Sequence, residues 1–401
     1  MTLSRVREPR CLSLLLGILT AVSFWYLQWW HWGPKVLRHP LWPLLGILVL
    51  ALLFRGQLWP RRWGDGLLLG VGVTLAIGVV WTGRWHGSGL REPLALLQGV
   101  GIAYIVARAT SGYTTARWIY RITLWFTGVL VLVAVAQFLL YWSTGYFFTF
   151  QTGQFAGVSP SRWTPCCGLF AVSSVYGDPR DFSVRLAGLW SLAWFGWLFA
   201  PEQGGYRKVA GFLVILGAAL ILLNFTRAAV LALGVSGVAG GILALYRRRL
   251  AYGRLALLGA ALGFLIVWMS PLLDRVLEIE ARSPAFRLGL WHQYLRHLGL
   301  WGAKVPFPET LSLHSLWLAF LFYGGFPTLG LWLLLVGYLG TGLLRFEESE
   351  GFRWFLVFFG GTLGYWVAYG LFSGYGFPHH WITLGVTVAL RGRLRAKIRW
   401  R

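Results

Sequence analysis

The sequence predicts an all-α polytopic membrane protein, and three observations carry that reading. Of its 401 residues 57% are hydrophobic and only 12% charged, with a mean hydropathy of +0.62. Apolar runs recur along the whole chain. Aromatic residues are abundant, with 25 Trp, 16 Tyr and 27 Phe, which suits many membrane–water crossings where amphipathic rings collect. A soluble domain carries about 25% charged residues, so a soluble enzyme is excluded, and so is a disordered chain. About 20 apolar residues per span leaves room for roughly ten to thirteen spans.

The runs fall at 11–30, 41–54, 66–82, 93–107, 118–142, 184–200, 209–225, 228–246 and 254–270, then at 326–344, 354–371 and 378–390. The first is too long and too aromatic for a cleaved leader, and no small-residue cleavage site follows it, so it reads as the first span. Residues 313–325 are expected to form a short helix dipping in from the outer face, broken at Gly324, Gly325 and Pro327. Irregular backbone at that depth is tolerated only against protein or a wet cavity.

Charge sets the sides. The net charge is +23, which in a soluble protein would suggest nucleic acid. Read loop by loop it follows the positive-inside rule, and no nucleic-acid partner is expected. With twelve spans and both termini cytoplasmic, 23 of the 36 Lys and Arg residues fall in cytoplasmic segments. The two long connections, 143–183 and 271–312, then lie outside, and the whole chain reads as one integral membrane domain. Cys11, Cys166 and Cys167 make no disulfide framework.

The outer basic residues include Arg162, Arg180, Arg185, Arg227, Arg275, Arg282, Arg287, Arg296 and Lys304. Headgroup contact would account for any one of them. Convergence of several on an anion is the sharper reading. Arg227 is the most informative, because two apolar runs bracket it tightly and such an arginine is costly unless it faces a cavity or partner. Snorkelling from a helix end is the plain alternative. In the loop 271–312, apolar positions between Phe286 and Leu298 fit an amphipathic helix carrying Arg287 and Trp291, with Arg282 before it. Glu309 and His314 follow, and an imidazole at the border of water and protein is a general-base candidate. A polar helix cap is the plain alternative for His314. The acid pairs Glu278/Glu280 and Asp178/Asp181 lack the spacing of a convincing metal site. No phosphate loop of the GxxxxGK(S/T) type occurs, so no cofactor and no metal is expected.

Four stretches resemble the O-antigen ligase and polymerase superfamily of bacterial membrane glycosyltransferases. Thr226-Arg227-Ala228-Ala229-Val230-Leu231-Ala232-Leu233 looks like its (S/T)RxxxLxL signature, and Arg287-Leu288-Gly289-Leu290-Trp291 resembles its RxxLW stretch. His314-Ser315, nine residues and then Gly325 is similar to the ligase motif H-(N/S/Q)-x9-GxxG. Gly168-Leu169-Phe170 with Asp178 to Phe182 looks like the GLF…PN segment. The likeness is strong over 205–345 and looser over 160–200. Thr328 stands where the motif ends in glycine, and Arg180 where many relatives have asparagine.

The resemblance implies a GT-C-like, metal-independent, inverting transferase on the outer, periplasmic face of the bacterial inner membrane. Its donor is a glycan on undecaprenyl pyrophosphate, and its acceptor a sugar hydroxyl on lipid A-core (ligase) or on a lipid-linked repeat (polymerase). Arg227 and Arg287 are implied to clamp the pyrophosphate in guanidinium forks, and His314 to take or orient the acceptor proton. Arg180, Arg282, Glu309 and Trp291 are then candidate substrate contacts. Polymerases often carry an arginine followed, after ten residues, by glycine; counting from Arg287 that place holds Leu298, with Gly299 next, which favours the ligase branch. Transfer to protein, a lipid-linked glycan flippase and a structural scaffold are the remaining alternatives.

Overall fold

A computed structural model describes residues 10–24, 41–83, 91–149, 154–157, 172–174, 176, 179–201, 204–224, 226–247, 289, 291–304, 315–343, 349–370 and 377–394. Eleven long helices make up most of them: α1 (Arg10–Phe24), α2 (Leu41–Phe54), α3 (Trp63–Trp81), α4 (Arg91–Ala109), α5 (Tyr113–Thr144), α6 (Pro179–Phe199), α7 (Gly205–Leu223), α8 (Arg227–Tyr246), α9 (Leu316–Thr341), α10 (Glu350–Gly370) and α11 (Pro378–Arg391). Six of these, α3 and α5 to α9, are long and apolar enough to cross a bilayer. The protein is an all-α membrane protein, as its composition requires. The predicted span 254–270 lies outside the described residues.

Two short antiparallel hairpins and a helical turn over 291–296 also lie among the described residues. β1 (Tyr146–Thr149) pairs with β2 (Gln154–Gly157), Tyr146 opposite Gly157, and β3 (Leu298–Gly299) with β4 (Gly302–Ala303). The first follows α5 directly through Gly145, whose φ of 74° ends the helix with its N–H on the Tyr141 carbonyl. The predicted outer loop 143–183 is therefore shorter than expected, because α6 already begins at Pro179. Proline at the first helical position and Asp181 in the first turn both favour an early start there.

Basic side chains tie one end of the bundle together. Arg108 pairs with buried Asp65 at 2.6 Å and donates to the Gln57 carbonyl at 2.8 Å. Arg62 reaches the Ala389 carbonyl, Arg391 that of Tyr338 and Arg393 that of Thr110. Arg117 meets Glu350 at 3.2 Å, Arg121 lies over Tyr206, and Arg247 over Phe352. Ser13 bonds Thr115, which brings the start of α1 to the same place. Every segment that the charge count assigned to one side is thus represented at this basic end. The opposite, far end holds the starts of α6, α8, α9 and α11.

Within the bundle α6 is the most enclosed of the long apolar helices, with 94% of its apolar window buried, against 28% for α7 and 39% for α5. Most side chains of α10 and all of α11 except Arg391 are buried as well. α6, α10 and α11 are therefore the core, and α5 and α7 turn broad faces outward, as lipid-facing helices do. Small residues let α6 and α10 approach closely. Gly188 lies under the Tyr365 ring, Gly360 under Phe195 and Gly364 against Ser191, each with no room for a Cβ.

α9 is two helices in one. Gly325, at φ 73° and ψ −169°, breaks it, so that the segment 316–324 folds back beside 326–341. Phe320 consequently lies 4.5 Å from Trp332 and Trp317 6.2 Å from it, ring centre to ring centre. The break falls where the glycine pair and Pro327 predict it.

Candidate functional site

The turn between α7 and α8 is fixed by one side chain. Asn224, at the end of α7, accepts from the Val172 N–H at 2.8 Å and donates to the Val172 carbonyl at 2.8 Å. Its amide also reaches the Ser183 hydroxyl at 2.8 Å and the Pro179 carbonyl at 3.4 Å. A buried amide with both ends satisfied is a rigid clasp. It pins the α7–α8 turn to the first two turns of α6. Arg227 is the first helical residue of α8, so it opens its helix beside the helical turns that carry Arg180, Asp181 and Arg185. Arg180 is exposed and Arg227 half-buried.

Below this entrance lies a buried polar cluster. Arg185, with 7% of its side chain exposed, sits 3.6 Å from Asp181. Its guanidinium lies 4.3 Å from the Tyr176 ring centre and 4.9 Å from that of Phe377, a cation–π arrangement on two sides. Burial pushes the Tyr176 hydroxyl up to about 12, against the opposing pull of Arg185, so Tyr176 stays neutral. Ser174 enters from the same loop with a φ of 50°, held by its hydroxyl on the Leu130 carbonyl and by Gln137 on its own carbonyl.

Two tyrosines and two histidines line the next layer. Tyr365 and His379 Nδ1 are 2.9 Å apart, and His379 Nε2 is 3.0 Å from the Thr123 hydroxyl. Thr123 donates to the Ile119 carbonyl, so its oxygen accepts from His379 Nε2–H, and Nδ1 accepts from Tyr365. His380 lies between Tyr365, Tyr369 and Trp381, at 5.4, 5.3 and 4.6 Å. Neither of its ring nitrogens has a hydrogen-bond partner among the described residues, nor does the Tyr369 hydroxyl.

The start of the short segment of α9 adjoins this cluster. Ser315 caps the short segment, accepting from the Leu318 N–H. Trp317 packs on Trp366 at 6.1 Å and against Gly370, the residue after Tyr369. At its other end the Phe326 N–H freed by the break donates to the Leu300 carbonyl of the β3–β4 hairpin at 3.1 Å. Thr328 donates to the Gly324 carbonyl and meets the Thr74 hydroxyl, so the residue standing in the motif's glycine place latches the break. Tyr323 donates to Glu92.

Of the residues singled out from sequence, Arg180 and Arg227 lie at the starts of two helices that the Asn224 clasp ties together. Trp291 stands on the α9 side: it is half-buried in a helical turn over 291–296 whose Tyr294 packs on Phe322 at 4.8 Å. That turn is amphipathic as expected, except that Leu295, assigned to the apolar face, is 50% exposed. Trp291 and Tyr294, three residues apart, share the inner face, and Leu295 lies past its edge. His314, Arg287, Arg282 and Glu309 lie outside the described residues, as do the acid pair Glu278/Glu280 and Asp178. Among the described residues no three His, Cys, Asp or Glu side chains converge on a point that could hold a metal ion.

Sequence reasoning missed Asn224, Tyr176, Tyr365, Tyr369, His379 and His380, and left Arg185 as one outer arginine among many. Two signals were available. His379-His380 interrupts an otherwise apolar run, and Tyr365 and Tyr369 are four apart on one helix face. No protein-family model and no curated protein matches the chain.

Proposed function

We propose that the protein is a metal-independent, inverting glycosyltransferase that moves a glycan from undecaprenyl pyrophosphate to a sugar hydroxyl. In this reading it is an O-antigen ligase with lipid A-core as acceptor, built as a GT-C-like chain of twelve spans. Both termini lie in the cytoplasm, and the far end of the bundle faces the periplasm of the bacterial inner membrane. The observation that supports it most is the Asn224 clasp, which ties the turn before Arg227 of the ligase-like signature to the first two turns of the helix that carries Arg180 and Arg185. Ser315, directly after the motif's His314, leads into a segment that packs at the end of α10 in the same part of the molecule.

The chemistry follows from a good leaving group. The acceptor oxygen attacks the anomeric carbon, the bond from that carbon to the phosphate oxygen breaks, and undecaprenyl pyrophosphate departs with the electron pair. Arg227 and Arg287 neutralise the charge that develops, which is commonly the largest catalytic contribution. His314 takes the hydroxyl proton, worth about 10²–10⁴-fold. Single in-line displacement inverts the anomeric centre.

The test is a reconstituted assay of purified protein with undecaprenyl-pyrophosphate oligosaccharide, with and without lipid A-core. Product that needs the core acceptor supports the ligase. A ladder of longer glycans from donor alone makes the protein a polymerase. Empty lanes with matched sugar and protein acceptors remove transfer as its function. Arg227→Ala is expected to lower kcat by about 10²–10³-fold, the scale for losing one pre-set stabiliser of developing charge.

A further inference from the structure

Arg185 is poorly compensated where it lies. It is buried two turns inside α6, and the oxygen of its ion-pair partner Asp181 is 3.6 Å away on a side chain that is 38% exposed. One terminal nitrogen, Nη1, has no hydrogen bond among the described residues. A guanidinium presents five N–H donors in a fixed fork, and burying them unmet is among the costlier things a fold can do. The surrounding rings of Tyr176 and Phe377 stabilise its positive charge through their faces. Other unmet groups share the layer. Among the described residues the buried Tyr369 hydroxyl has no hydrogen-bond partner, nor has either nitrogen of His380, whose ring lies against that of Tyr369. Rings connect Arg185 to Tyr369: Phe377 lies 4.9 Å from the guanidinium and 6.2 Å from Tyr365, which stacks on Tyr369 at 5.7 Å. Tyr365, by contrast, is committed to His379. The positive ends of α6, α8 and α11 meet at this end of the bundle, and each favours negative charge.

We infer that Arg185 and Tyr369 form a buried phosphate-binding position, set deeper than Arg227, that holds the diphosphate headgroup of a polyprenyl lipid. The fork of Arg185 takes two phosphate oxygens, Tyr369 donates to a third, and His380 offers a further donor at the edge. The choice of a lipid diphosphate rests on the transferase reading above; the anion chemistry rests on the unmet donors alone. The rival role for Arg185 is a structural ion pair with Asp181, and the two roles make opposite demands. A structural pair loses stability when either member is neutralised. A ligand-binding cation kept at a cost to the fold does not.

Binding can be read without any glycan transfer. The full-length protein in nanodiscs is titrated with undecaprenyl pyrophosphate and, separately, with inorganic pyrophosphate, while thermal unfolding is followed on the same samples. Arg185→Gln is expected to weaken lipid binding by about 10–100-fold, the range for a lost charge-assisted hydrogen bond. Tyr369→Phe is expected to weaken it by about 2–10-fold, as for a neutral one. Neither substitution, nor Asp181→Asn, should lower Tm. Arg117→Gln, in the exposed pair at the basic end, should bind as the parent does. Parent-like lipid affinity in Arg185→Gln overturns the inference, and so does a parallel fall in Tm for Arg185→Gln and Asp181→Asn. Arg185-dependent binding of inorganic pyrophosphate with none of the lipid would overturn the choice of a lipid ligand. If diphosphate binding depends on Arg185 but no acceptor yields product, the transferase reading fails and the phosphate position stands. If transfer proceeds and Arg185→Gln binds normally, the reverse holds.

Discussion

Asn224 shows how much of this end of the molecule depends on a single amide. Four polar groups from two parts of the chain converge on it: the Val172 N–H and carbonyl, and on α6 the Ser183 hydroxyl and the Pro179 carbonyl. Inside a membrane protein no water is at hand to replace it, so truncation strands those groups. Each buried group left unmet costs about 1–3 kcal/mol. Asn224→Ala is expected to destabilise the fold by about 2–4 kcal/mol on that scale, read as a lowered Tm of the purified protein. It should also cut transfer activity, because the helix that carries Arg227 loses its tether to α6. Asn224→Asp keeps the acceptor for Val172 N–H but has no donor for the two carbonyls, so it should not rescue. A parent-like Tm in Asn224→Ala would show that the turn is held by other contacts.

At the scale of the element, the broken helix α9 is a junction of three glycines. Gly325 adopts a left-handed φ of 73° and sits against the Leu300 carbonyl and Trp301 of the hairpin. Gly78 of α3 lies against the Tyr323 carbonyl and Gly324, and Gly302, at φ 117°, against the Phe322 carbonyl. Gly325→Ala therefore meets both a backbone conformation that side chains resist and a backbone wall that cannot move aside. The expected result is poor expression or a Tm lower by many degrees, whereas Gly330→Ala, in the same helix with open space around it, should be neutral. Equal behaviour of the two would mean that the break is a soft bend. The break was legible in the sequence because Gly324-Gly325-Phe326-Pro327 states it locally: two residues that favour irregular backbone, then one that cannot donate. The helices were legible for the same reason, since each apolar run contains its own signal. The polar cluster was not. Thr123 and His379, hydrogen-bonded at 3.0 Å, are 256 residues apart, and the Asn224 amide reaches back 52 residues to Val172. A histidine in an apolar run says that it is buried, but only packing decides which threonine and tyrosine meet it. Arg185 was visible as a charge, and its lack of an adequate partner emerged only from the fold.

The whole molecule is polarised, and that polarity decides whether the candidate site can serve an outward-facing reaction. At the basic end, arginines close the seams between helices by bonding backbone carbonyls, as Arg62, Arg391 and Arg393 do, or by pairing with the scarce acids, as Arg108 does with Asp65. At the far end the arginines Arg180 and Arg227 stand at helix starts, with Arg185 two turns deeper. The proposed topology, which follows the positive-inside rule, puts the basic end in the cytoplasm and requires the far end with its polar cluster to face outward. α5 gives a direct test, since it runs the full depth of the bundle from Tyr113 to Thr144. At 1.5 Å per residue its 32 residues reach about 48 Å, well beyond the roughly 30 Å of hydrocarbon. Thr114 and Thr144 are both exposed, near its basic and far ends respectively. With the native cysteines replaced, Thr144→Cys is expected to react with a membrane-impermeant maleimide in intact spheroplasts, and Thr114→Cys only after lysis. The opposite pattern would place Arg227, Arg185 and the tyrosines on the cytoplasmic side. A donor glycan already moved outward could not then reach them, and the periplasmic transferase reading would fall with the topology.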